Sequence, residues 1–282
     1  MNATEWNFEW DPTLYAGSAE HYAVGRMAYP VALAEAVRDE LGLDGTGRLL
    51  DVGCGPGALT LLFAPYVEEV VGVDADGDML KTAARRAEQA GIDNTSWRQL
   101  RAEELPADLG TFRVVMFAQS FHWMDRSLVA DRVRGMLTPD GAWVHIGATT
   151  HRGLDGTNDL PHPRPPWNAI DELVARYLGP VRRAGQGVAP SGTRPGEEDV
   201  MRAAGYSGPT RIVVGGNEIE ERTVDDIVAS VFSLSSSTPH LFGAELSAFE
   251  TDLRALLTEA ADDNRFSEQR REIEAVIWRD VR

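Results

Sequence analysis

The sequence has little cysteine, an excess of acidic over basic residues and no long apolar run. Cys54 is its one cysteine among 282 residues, so an intrachain disulfide and a cysteine-based zinc site are excluded. This usage fits a reducing compartment, and we expect a cytoplasmic protein. No stretch approaches the roughly 18 apolar residues of a membrane span. Residues 1–12 contain acids and no basic segment before an apolar run, so we expect no secretory signal there.

Basic residues are too few for a typical nucleic-acid-binding protein. The chain has 27 Lys and Arg against 44 Asp and Glu, which gives a formal net charge of −17. Proteins that bind DNA or RNA gain most of their affinity by neutralising phosphates with a basic face. We therefore expect no nucleic acid and no anionic membrane as a partner. The composition, 43% apolar and 25% charged, is that of a globular protein and leaves the oligomeric state open.

Strand-like apolar runs alternate with helix-like amphipathic segments in the first half of the chain. This alternation is typical of βαβ units and predicts an α/β fold with a doubly wound, mostly parallel sheet. Strands are predicted at 47–53, 68–74, within 95–106, at 112–119 and at 141–148, and helices at 31–42, 58–67, 78–91 and 127–137.

Beyond residue 148 the pattern is interrupted and then resumes. Residues 149–198 are rich in Pro and Gly and contain one helix-like segment, 169–179, so we expect an insertion. A solvated loop region is the alternative. Helices are then predicted at 197–205, 223–234 and 245–260, and strands are predicted at 209–216 and 271–280.

The most informative segment is LLDVGCGPGALT, residues 49–60. A strand leads directly into three glycines, Gly53, Gly55 and Gly57, and a helix follows, which allows a ligand to approach the backbone at the start of the helix. Gly53, Gly55 and Ala58 also fit the loose dinucleotide fingerprint, so an NAD(P)-binding loop stays open. Asp51 argues against it, because a carboxylate there would repel a pyrophosphate and suits a ligand with an ammonium and a sulfonium group.

DVGCGPG resembles the first motif of the class I S-adenosylmethionine (SAM)-dependent methyltransferases. The resemblance implies SAM as the cofactor and a Rossmann-like sheet of seven strands with the last strand antiparallel. Asp74 ends the second strand, where an acid can accept hydrogen bonds from both ribose hydroxyls. Met79 matches the hydrophobic residue that lies under the adenine in this family. An acidic loop cap is the alternative for Asp74.

RAEELP, residues 101–106, resembles the third motif of the same family. Ala102 and Glu103 match it, whereas Arg101 stands where an acid is common. With Arg101 in place of an acid, the backbone at Ala102 could recognise the adenine amino group instead. Glu103 could equally be a solvated acid at the start of a helix.

FAQSFHWMD, residues 117–125, follows the fourth predicted strand. It resembles a bacterial small-molecule branch of the family, related to the trans-aconitate and ubiquinone-biosynthesis methyltransferases. Because ligands bind at the carboxyl ends of the strands in such sheets, these side chains should lie near the transferred methyl group. His122 is the candidate general base, since imidazole titrates near neutral pH. A structural histidine below the site is the alternative.

The N-terminal segment YAGSAEHYAVGRMAYP, residues 15–30, resembles the stretch that precedes the first helix in this branch. There a Tyr and an Arg often close over the cofactor, and Tyr22 and Arg26 match them. Arg26 could hold the methionine carboxylate of SAM. A surface amphipathic helix whose tyrosines pack on the core is the alternative.

These motifs give a complete set of expected site residues and no metal ligands. His122 is the expected catalytic residue, and Tyr15, Phe121 and Trp123 are expected to bind the substrate. Trp123 is expected mainly to wall the site. The expected cofactor-binding residues are Asp51, Gly53, Cys54, Gly55, Gly57, Asp74, Ala75, Met79, Ala102, Glu103, Gln119, Ser120, Tyr22 and Arg26. Cys54 is expected to be a small spacer and not a reactive thiol.

We expect one methyltransferase domain that moves a methyl group from SAM to an O or N atom of a small molecule, possible acceptors including secondary metabolites. The net charge favours a neutral or cationic acceptor. An NAD(P)-dependent oxidoreductase on the same fold and a non-catalytic cofactor-binding module are the alternatives. The expected parts are an N-terminal helical lid (1–45), a SAM-binding core (46–148), an insertion (149–198) and the last strands (199–282) with a helical cap insertion (223–262).

Overall fold

Strands and helices alternate along the first half of the computed structural model, which describes residues 11–156, 159–181, 183–184, 187–188 and 195–280. The elements up to residue 148 are α1 Ala19–Gly25, α2 Val31–Leu41, β1 Arg48–Val52, α3 Ala58–Phe63, β2 Glu69–Asp74, α4 Gly77–Ala90, β3 Thr95–Gln99, β4 Phe112–Ala118, α5 Arg126–Met136 and β5 Leu137–Gly147. Short 3-10 helices occur at Ala64–Tyr66, Ala102–Glu104 and Phe121–Trp123.

The second half begins with a helix and two very short strands. Its elements are α6 Trp167–Leu178, β6 Arg183–Ala184, β7 Gly187–Val188, α7 Glu197–Ala203, β8 Tyr206–Gly215, β9 Ile219–Thr223, α8 Val224–Phe232, α9 Leu246–Ala260, β10 Arg265–Gln269 and β11 Glu272–Asp280, with a 3-10 helix at Pro239–Glu245. No helix among the described residues is both long and apolar enough to cross a membrane.

The main sheet has seven strands in the order β3-β2-β1-β4-β5-β11-β8. Neighbours from β3 to β5 pair in parallel, and β11 pairs antiparallel with both β5 and β8. The structure thus confirms the α/β fold with a doubly wound, mostly parallel sheet and an antiparallel last strand. In this arrangement β1, β2 and β4 end at the same edge of the sheet, where ligands bind in open α/β folds.

The chain forms two compact units, each made of several segments. The sheet unit contains Tyr29–Ala148, Thr193–Gly215 and Glu272–Arg282, and the helical unit contains Met1–Ala28, Thr149–Gly192 and Gly216–Arg271. The expected lid, 1–45, begins with residues outside the described part. The expected insertion, 149–198, includes 157–158, 182, 185–186 and 189–194, which also lie outside it. The domain boundaries stay a prediction.

Apolar side chains cover both faces of the main sheet. Adjacent residues of β1 point to opposite faces, so Leu49 belongs to one cluster and Leu50 to the other. Helices α2 and α3 supply the Leu49 cluster, and α5 and α7 supply the Leu50 cluster. Burial on both faces explains why the parallel strands appear in the sequence as apolar runs rather than as alternating patterns.

The helical unit has its own apolar core. It is formed by α6, α8, α9 and the strand β10, with Phe232, Phe242 and Phe249 in mutual ring contact at its centre. The antiparallel pair β9 and β10 completes this unit. Neither strand was expected from the sequence, because IEERT and RFSEQ have few apolar residues.

Candidate functional site

The glycine loop leaves β1 in the sheet unit and is held by the neighbouring strand. The N–H groups of Gly53 and Cys54 both donate to the carbonyl oxygen of Val73, at 2.8 and 3.0 Å. Gly53 has φ +70°, and a Cβ there would lie 2.5 Å from the Cβ of Ser120. Ser120 itself is fixed, because its hydroxyl donates to the carbonyl oxygen of Val52 at 2.7 Å. The loop after β1 and the end of β4 therefore meet so closely that only glycine fits at residue 53.

Gly55 and Asp74 connect the loop with the end of β2. The N–H of Gly55 donates to one carboxylate oxygen of Asp74 at 2.8 Å, and the N–H of Asp76 donates to the other at 2.9 Å. Gly55 has φ +53°, and a Cβ there would meet no atom within 4 Å. Burial raises the pKa of Asp74 to about 6, although these backbone donors favour its charged form. Each carboxylate oxygen keeps a lone pair for a further donor.

Asp51 lies inside the sheet unit with only 2% of its surface exposed. One of its oxygens accepts a hydrogen bond from the hydroxyl of Thr60 in α3, at 2.7 Å. Burial raises its pKa to about 6, and the nearby charge of Asp74 acts in the same direction. The structure thus gives Asp51 a link between β1 and α3, and its contact with a ligand stays a prediction.

Trp97 of β3 supports the glycine loop, and the sequence reasoning missed it. A Cβ at Gly57 would lie 3.0 Å from the Cη2 atom of its indole ring, and a Cβ at Gly72 would lie 2.6 Å from the ring. Cys54 packs at the same place, since its Sγ would lie 3.0 Å from a Cβ at Gly72. Gly57 and Gly72 make room for a large ring that lies against the loop. The sequence feature that could have indicated this role is a large aromatic residue on a predicted strand, together with glycines in the loop and on the neighbouring strand.

The other residues expected around the adenine lie at the ends of β2 and β3. Met79, in the first turn of α4, is 2% exposed, and its N–H donates to Asp76 at 3.4 Å. The carbonyl oxygen of Ala75 accepts from the Gln99 amide at 3.1 Å. Ala102 is buried in the sheet unit's core.

Glu103 has structural partners at this edge. Its carboxylate accepts from the N–H of Asp125 at 2.9 Å and lies 3.3 Å from the guanidinium group of Arg101. Asp125 is the N-cap of α5, where its side chain accepts from the N–H of Leu128. Glu103 therefore ties the short helix after β3 to the start of α5, and a role in cofactor binding stays a prediction.

The segment after β4 has one core residue and two partly exposed rings. Phe121 is 0% exposed and packs edge-to-face against Phe117 and Trp143, so its predicted substrate contact has no surface in this conformation. His122 and Trp123 follow in the same 3-10 helix, are both partly exposed, and their ring centroids lie 4.7 Å apart. Gln119, at the turn, has φ +54°. Their predicted roles stay predictions.

Tyr15, Tyr22 and Arg26 belong to the helical unit. The guanidinium group of Arg26 lies 4.4 Å from the ring centre of Tyr22 and donates to the hydroxyl and the carbonyl oxygen of Ser233, at 2.8 and 3.0 Å. Tyr15 and Tyr22 are in edge-to-face contact at 6.1 Å. The structure brings these three residues together, and their predicted contacts with cofactor or substrate stay predictions.

An open depression of about 620 Å³ lies beside α4 and the edge strand β3. Asp76, Lys81, Trp97 and Gln99 are among the residues that line it. None of the expected site residues lines this depression. Within the described residues, no group of three or more His, Cys, Asp or Glu side chains is placed to hold a metal ion.

Comparison with known proteins finds a family match and several relatives for the segment that contains the glycine loop. Residues 49–141 match the protein family described as "Methyltransferase domain". An uncharacterized methyltransferase of Mycobacterium tuberculosis is 34% identical over 173 residues, which are 61% of this chain and 63% of that protein. The Saccharomyces cerevisiae protein named "Probable S-adenosylmethionine-dependent methyltransferase CRG1" is 29% identical over 136 residues, or 45% of each chain. Both alignments span less than two thirds of the relative's length.

Solved structures agree on the fold. The structure of a Bacillus halodurans protein, solved as a methyltransferase candidate, superposes with a TM-score of 0.51 at 18% sequence identity. The match covers 88% of this chain and 97% of the Bacillus protein. At this identity the likeness extends to the fold alone. The matched family region contains the glycine loop, Asp74 and the end of β4, and it excludes all of the helical unit.

Proposed function

We propose that this chain, whose residues 49–141 match the family described as "Methyltransferase domain", is a class I SAM-dependent methyltransferase and transfers the methyl group of SAM to an oxygen or nitrogen atom of a small molecule. The hydrogen bond from the N–H of Gly55 to the carboxylate of Asp74 carries the proposal. It joins the glycine loop to the acid at the end of β2, at the edge of the sheet where such folds bind their ligands.

The residues at this edge fit the cofactor. SAM carries two ribose hydroxyls, and Asp74 has acceptor capacity left after its two backbone hydrogen bonds. The open space beside Gly55 allows a ligand to approach the backbone closely. We propose that Asp74 binds the ribose of SAM and that Ala75, Met79 and Ala102 surround its adenine. The loop from Gly53 to Gly57 would contact the rest of the cofactor.

When bound, SAM supplies a methyl group on a sulfonium centre, which is already an excellent leaving group. The protein then has to align the acceptor and exclude water, an effect worth up to about 7–11 kcal/mol in well-oriented reactions. We propose that His122 takes the proton from an acceptor hydroxyl or ammonium group, a role worth about 10²–10⁴-fold in rate. Trp123, in contact with the His122 ring, would wall the same space.

The finer assignment is to the bacterial small-molecule branch that resembles the trans-aconitate and ubiquinone-biosynthesis enzymes. The Phe-His-Trp sequence after β4 supports it. We also propose a cytoplasmic location, on the ground of the single cysteine. The domain plan proposed from the sequence, with a core at 46–148 between a lid and cap segments, has the matched family region inside that core.

Calorimetry with S-adenosylhomocysteine and with NAD⁺ tests the cofactor. We expect micromolar binding of S-adenosylhomocysteine and no binding of NAD⁺; the reverse result contradicts the proposal and favours an oxidoreductase. Asp74→Ala should lose most of the affinity. Asp78→Ala is the matched control, because Asp78 is exposed and paired with Lys81 in the adjacent turn. Equal affinity in both variants would refute the role of Asp74.

Turnover on an acceptor found by screening tests His122. We expect His122→Ala to lower kcat without changing the affinity for S-adenosylhomocysteine, as for loss of a general base. His162→Ala is the control, because His162 pairs with Asp263 in the helical unit, outside the matched family region. Unchanged turnover in His122→Ala would remove the base role, and absence of any methyl transfer despite cofactor binding would favour a non-catalytic binding module.

A further inference from the structure

Four arginines lie around residues 150–153 of the helical unit. Arg152 belongs to this segment, Arg222 and Arg271 donate to its carbonyl oxygens, and the N–H of Met27, next to Arg26, donates to the carbonyl oxygen of Thr150 at 2.8 Å. Burial, together with the positive charges of Arg26, Arg152, Arg222 and Arg271, lowers the pKa of the His151 imidazole to about 2. All four guanidinium groups thus act on one imidazole, in a chain whose net charge is −17. Such a concentration of like charge is costly unless something offsets it.

Hydrogen bonds hold the backbone around His151 in place. Its carbonyl oxygen accepts from Arg222 at 3.0 Å and from the hydroxyl of Ser230 at 2.6 Å. The carbonyl oxygen of Gly153, two residues on, accepts from Nε of Arg271 at 3.1 Å. Hydrogen bonds between segments that are far apart in sequence therefore fix the positions of Arg222 and Arg271.

Two of the four arginines have carboxylate partners. Arg222 lies 3.1 Å from Glu268, and the side chains of both are buried, at 3% and 2% exposure. Arg152 lies 3.3 Å from Asp171 on the surface. These two positive charges are offset within the unit.

Arg26 and Arg271 have only neutral partners among the described residues. Arg26 contacts Ser233 and the face of Tyr22, and Arg271 contacts the Gly153 carbonyl. Both are half-buried, so their charges are less screened than those of exposed arginines, yet part of each remains open to solvent. A guanidinium group presents paired N–H donors that match a carboxylate or a phosphate.

We propose that Arg26 and Arg271, beside His151, bind an oxyanion, a carboxylate or phosphate, of a small-molecule ligand. The ligand that this group recognises is therefore an anionic molecule. This differs from the expectation drawn from the net charge, because the sum over the chain hides a local positive group. The carboxylate of the cofactor is the other source of the same chemistry.

Calorimetry in an oxyanion-free buffer separates these sources. Citrate and inorganic phosphate are titrated into the protein, with and without saturating S-adenosylhomocysteine, and S-adenosylhomocysteine is titrated alone. The variants are Arg26→Gln and Arg271→Gln. Arg265→Gln is the matched control, because it removes the same charge from an exposed pair with Glu221 in the same unit.

We expect citrate or phosphate to bind the wild-type protein, and each test variant to weaken binding by about tenfold or more, as for loss of a hydrogen bond to a charged group. If S-adenosylhomocysteine affinity stays unchanged, the oxyanion belongs to a separate ligand. If the test variants weaken S-adenosylhomocysteine instead, it is the cofactor carboxylate. If the variants change neither, or act no more strongly than Arg265→Gln, the proposal is overturned.

A wild-type measurement keeps the proposal testable if a variant does not fold. A bound oxyanion offsets the positive charges at His151, so its imidazole NMR resonances should shift with saturating citrate, phosphate or S-adenosylhomocysteine, and its pKa should rise. Unchanged resonances with all three overturn the site. Anion binding by a protein that fails to bind S-adenosylhomocysteine would leave this site standing while the proposed function fails.

Discussion

Nδ1 of His145 and Oε1 of Glu197 lie 3.2 Å apart, yet burial opposes a charge on both residues. His145 is near the end of β5, and Glu197 begins α7. Burial lowers the pKa of His145 to about 4, and burial raises that of Glu197 to about 7. The pair is therefore a neutral imidazole beside a carboxyl group that ionises near neutral pH, and not a salt bridge.

Glu197 should make the protein less stable as the pH rises towards 8. Its pKa in the folded protein is above its ordinary value of 4.5, so the folded state holds the proton more tightly, and that stabilisation disappears as the pH passes about 7. We expect the difference in free energy of unfolding between Glu197→Gln and the wild type to shift by about 1–3 kcal/mol in favour of the variant as the pH rises from 5 to 8. Urea denaturation at each pH measures it.

The difference between the two proteins isolates Glu197, because His145 titrates in both. Charged neighbours also stay the same: Arg126, Arg211 and Glu274. Glu69→Gln is the control, since the hydrogen bond from Arg48 lowers the pKa of the Glu69 carboxyl, and Glu69 is not among the charges that act on Glu197. Its difference from the wild type should stay flat from pH 5 to pH 8. An equally flat result for Glu197→Gln would contradict the assigned pKa.

Alanine at residue 53 should mainly lower the stability of the protein, whereas alanine at residue 55 should mainly lower its affinity for the cofactor. A Cβ at residue 53 meets Ser120 at 2.5 Å, so Gly53→Ala should lower the free energy of unfolding by about 2–4 kcal/mol. A Cβ at residue 55 meets open space, so Gly55→Ala should lose about 1 kcal/mol from its left-handed backbone but most of its affinity for S-adenosylhomocysteine.

Gly91→Ala is the control that measures only the cost of placing alanine in a left-handed backbone conformation. Gly91 has φ +66° and no atom within 4 Å of a Cβ, and it ends α4 away from the loop. It should match Gly55→Ala in denaturation and keep the wild-type affinity in calorimetry. If Gly55→Ala also keeps that affinity, the open space beside the loop is not where the cofactor lies.

The sheet was predictable because its elements are locally consistent. Buried parallel strands appear as apolar runs, and helices α2 and α4 end at Gly42 and Gly91, which adopt the left-handed conformation that glycine tolerates. β9 and β10 were not predictable, since polar residues occupy most of both, and those of β10 are largely buried. Their pairing depends on contacts between distant segments, which local sequence does not encode.

The candidate site was predictable only where a motif fixes backbone geometry. The glycine loop and Asp74 come together as expected, because each follows a strand that ends at the same edge. The role of Trp97 depends on the packing of β3 against two glycines, and that of Phe121 depends on core packing. The arginines around His151 come from four separate segments, so no spacing in the sequence indicates them.

Loss of the Glu268 carboxylate should strongly destabilise the protein. Its oxygens accept from the indole N–H of Trp167 at 2.7 Å and the N–H of Gly153 at 2.8 Å, and pair with Arg222. Glu268→Ala leaves a buried guanidinium without compensation, a change that costs about 3–5 kcal/mol. Glu221→Ala, in an exposed pair with Arg265, should cost less than about 1 kcal/mol. Similar midpoints in urea for both variants would contradict this account.

Cys54 should react slowly in the folded protein even though it lies in the glycine loop. Its side chain is 7% exposed, and burial raises the pKa of its thiol well above the ordinary value, so little thiolate forms at pH 8. We expect Ellman's reagent to label the folded protein at least about tenfold more slowly than the urea-unfolded protein. The signal has one source, because the chain has no other cysteine.

The same reaction reports on the loop when a ligand binds. Saturating S-adenosylhomocysteine should slow labelling further, since a ligand at Gly55 covers the loop and restricts the openings that expose the thiol. NAD⁺ at the same concentration should leave the rate unchanged, and Cys54→Ser should give no signal. Fast labelling of the folded protein would show that the thiol is accessible and that Cys54 is more than a small spacer between two glycines.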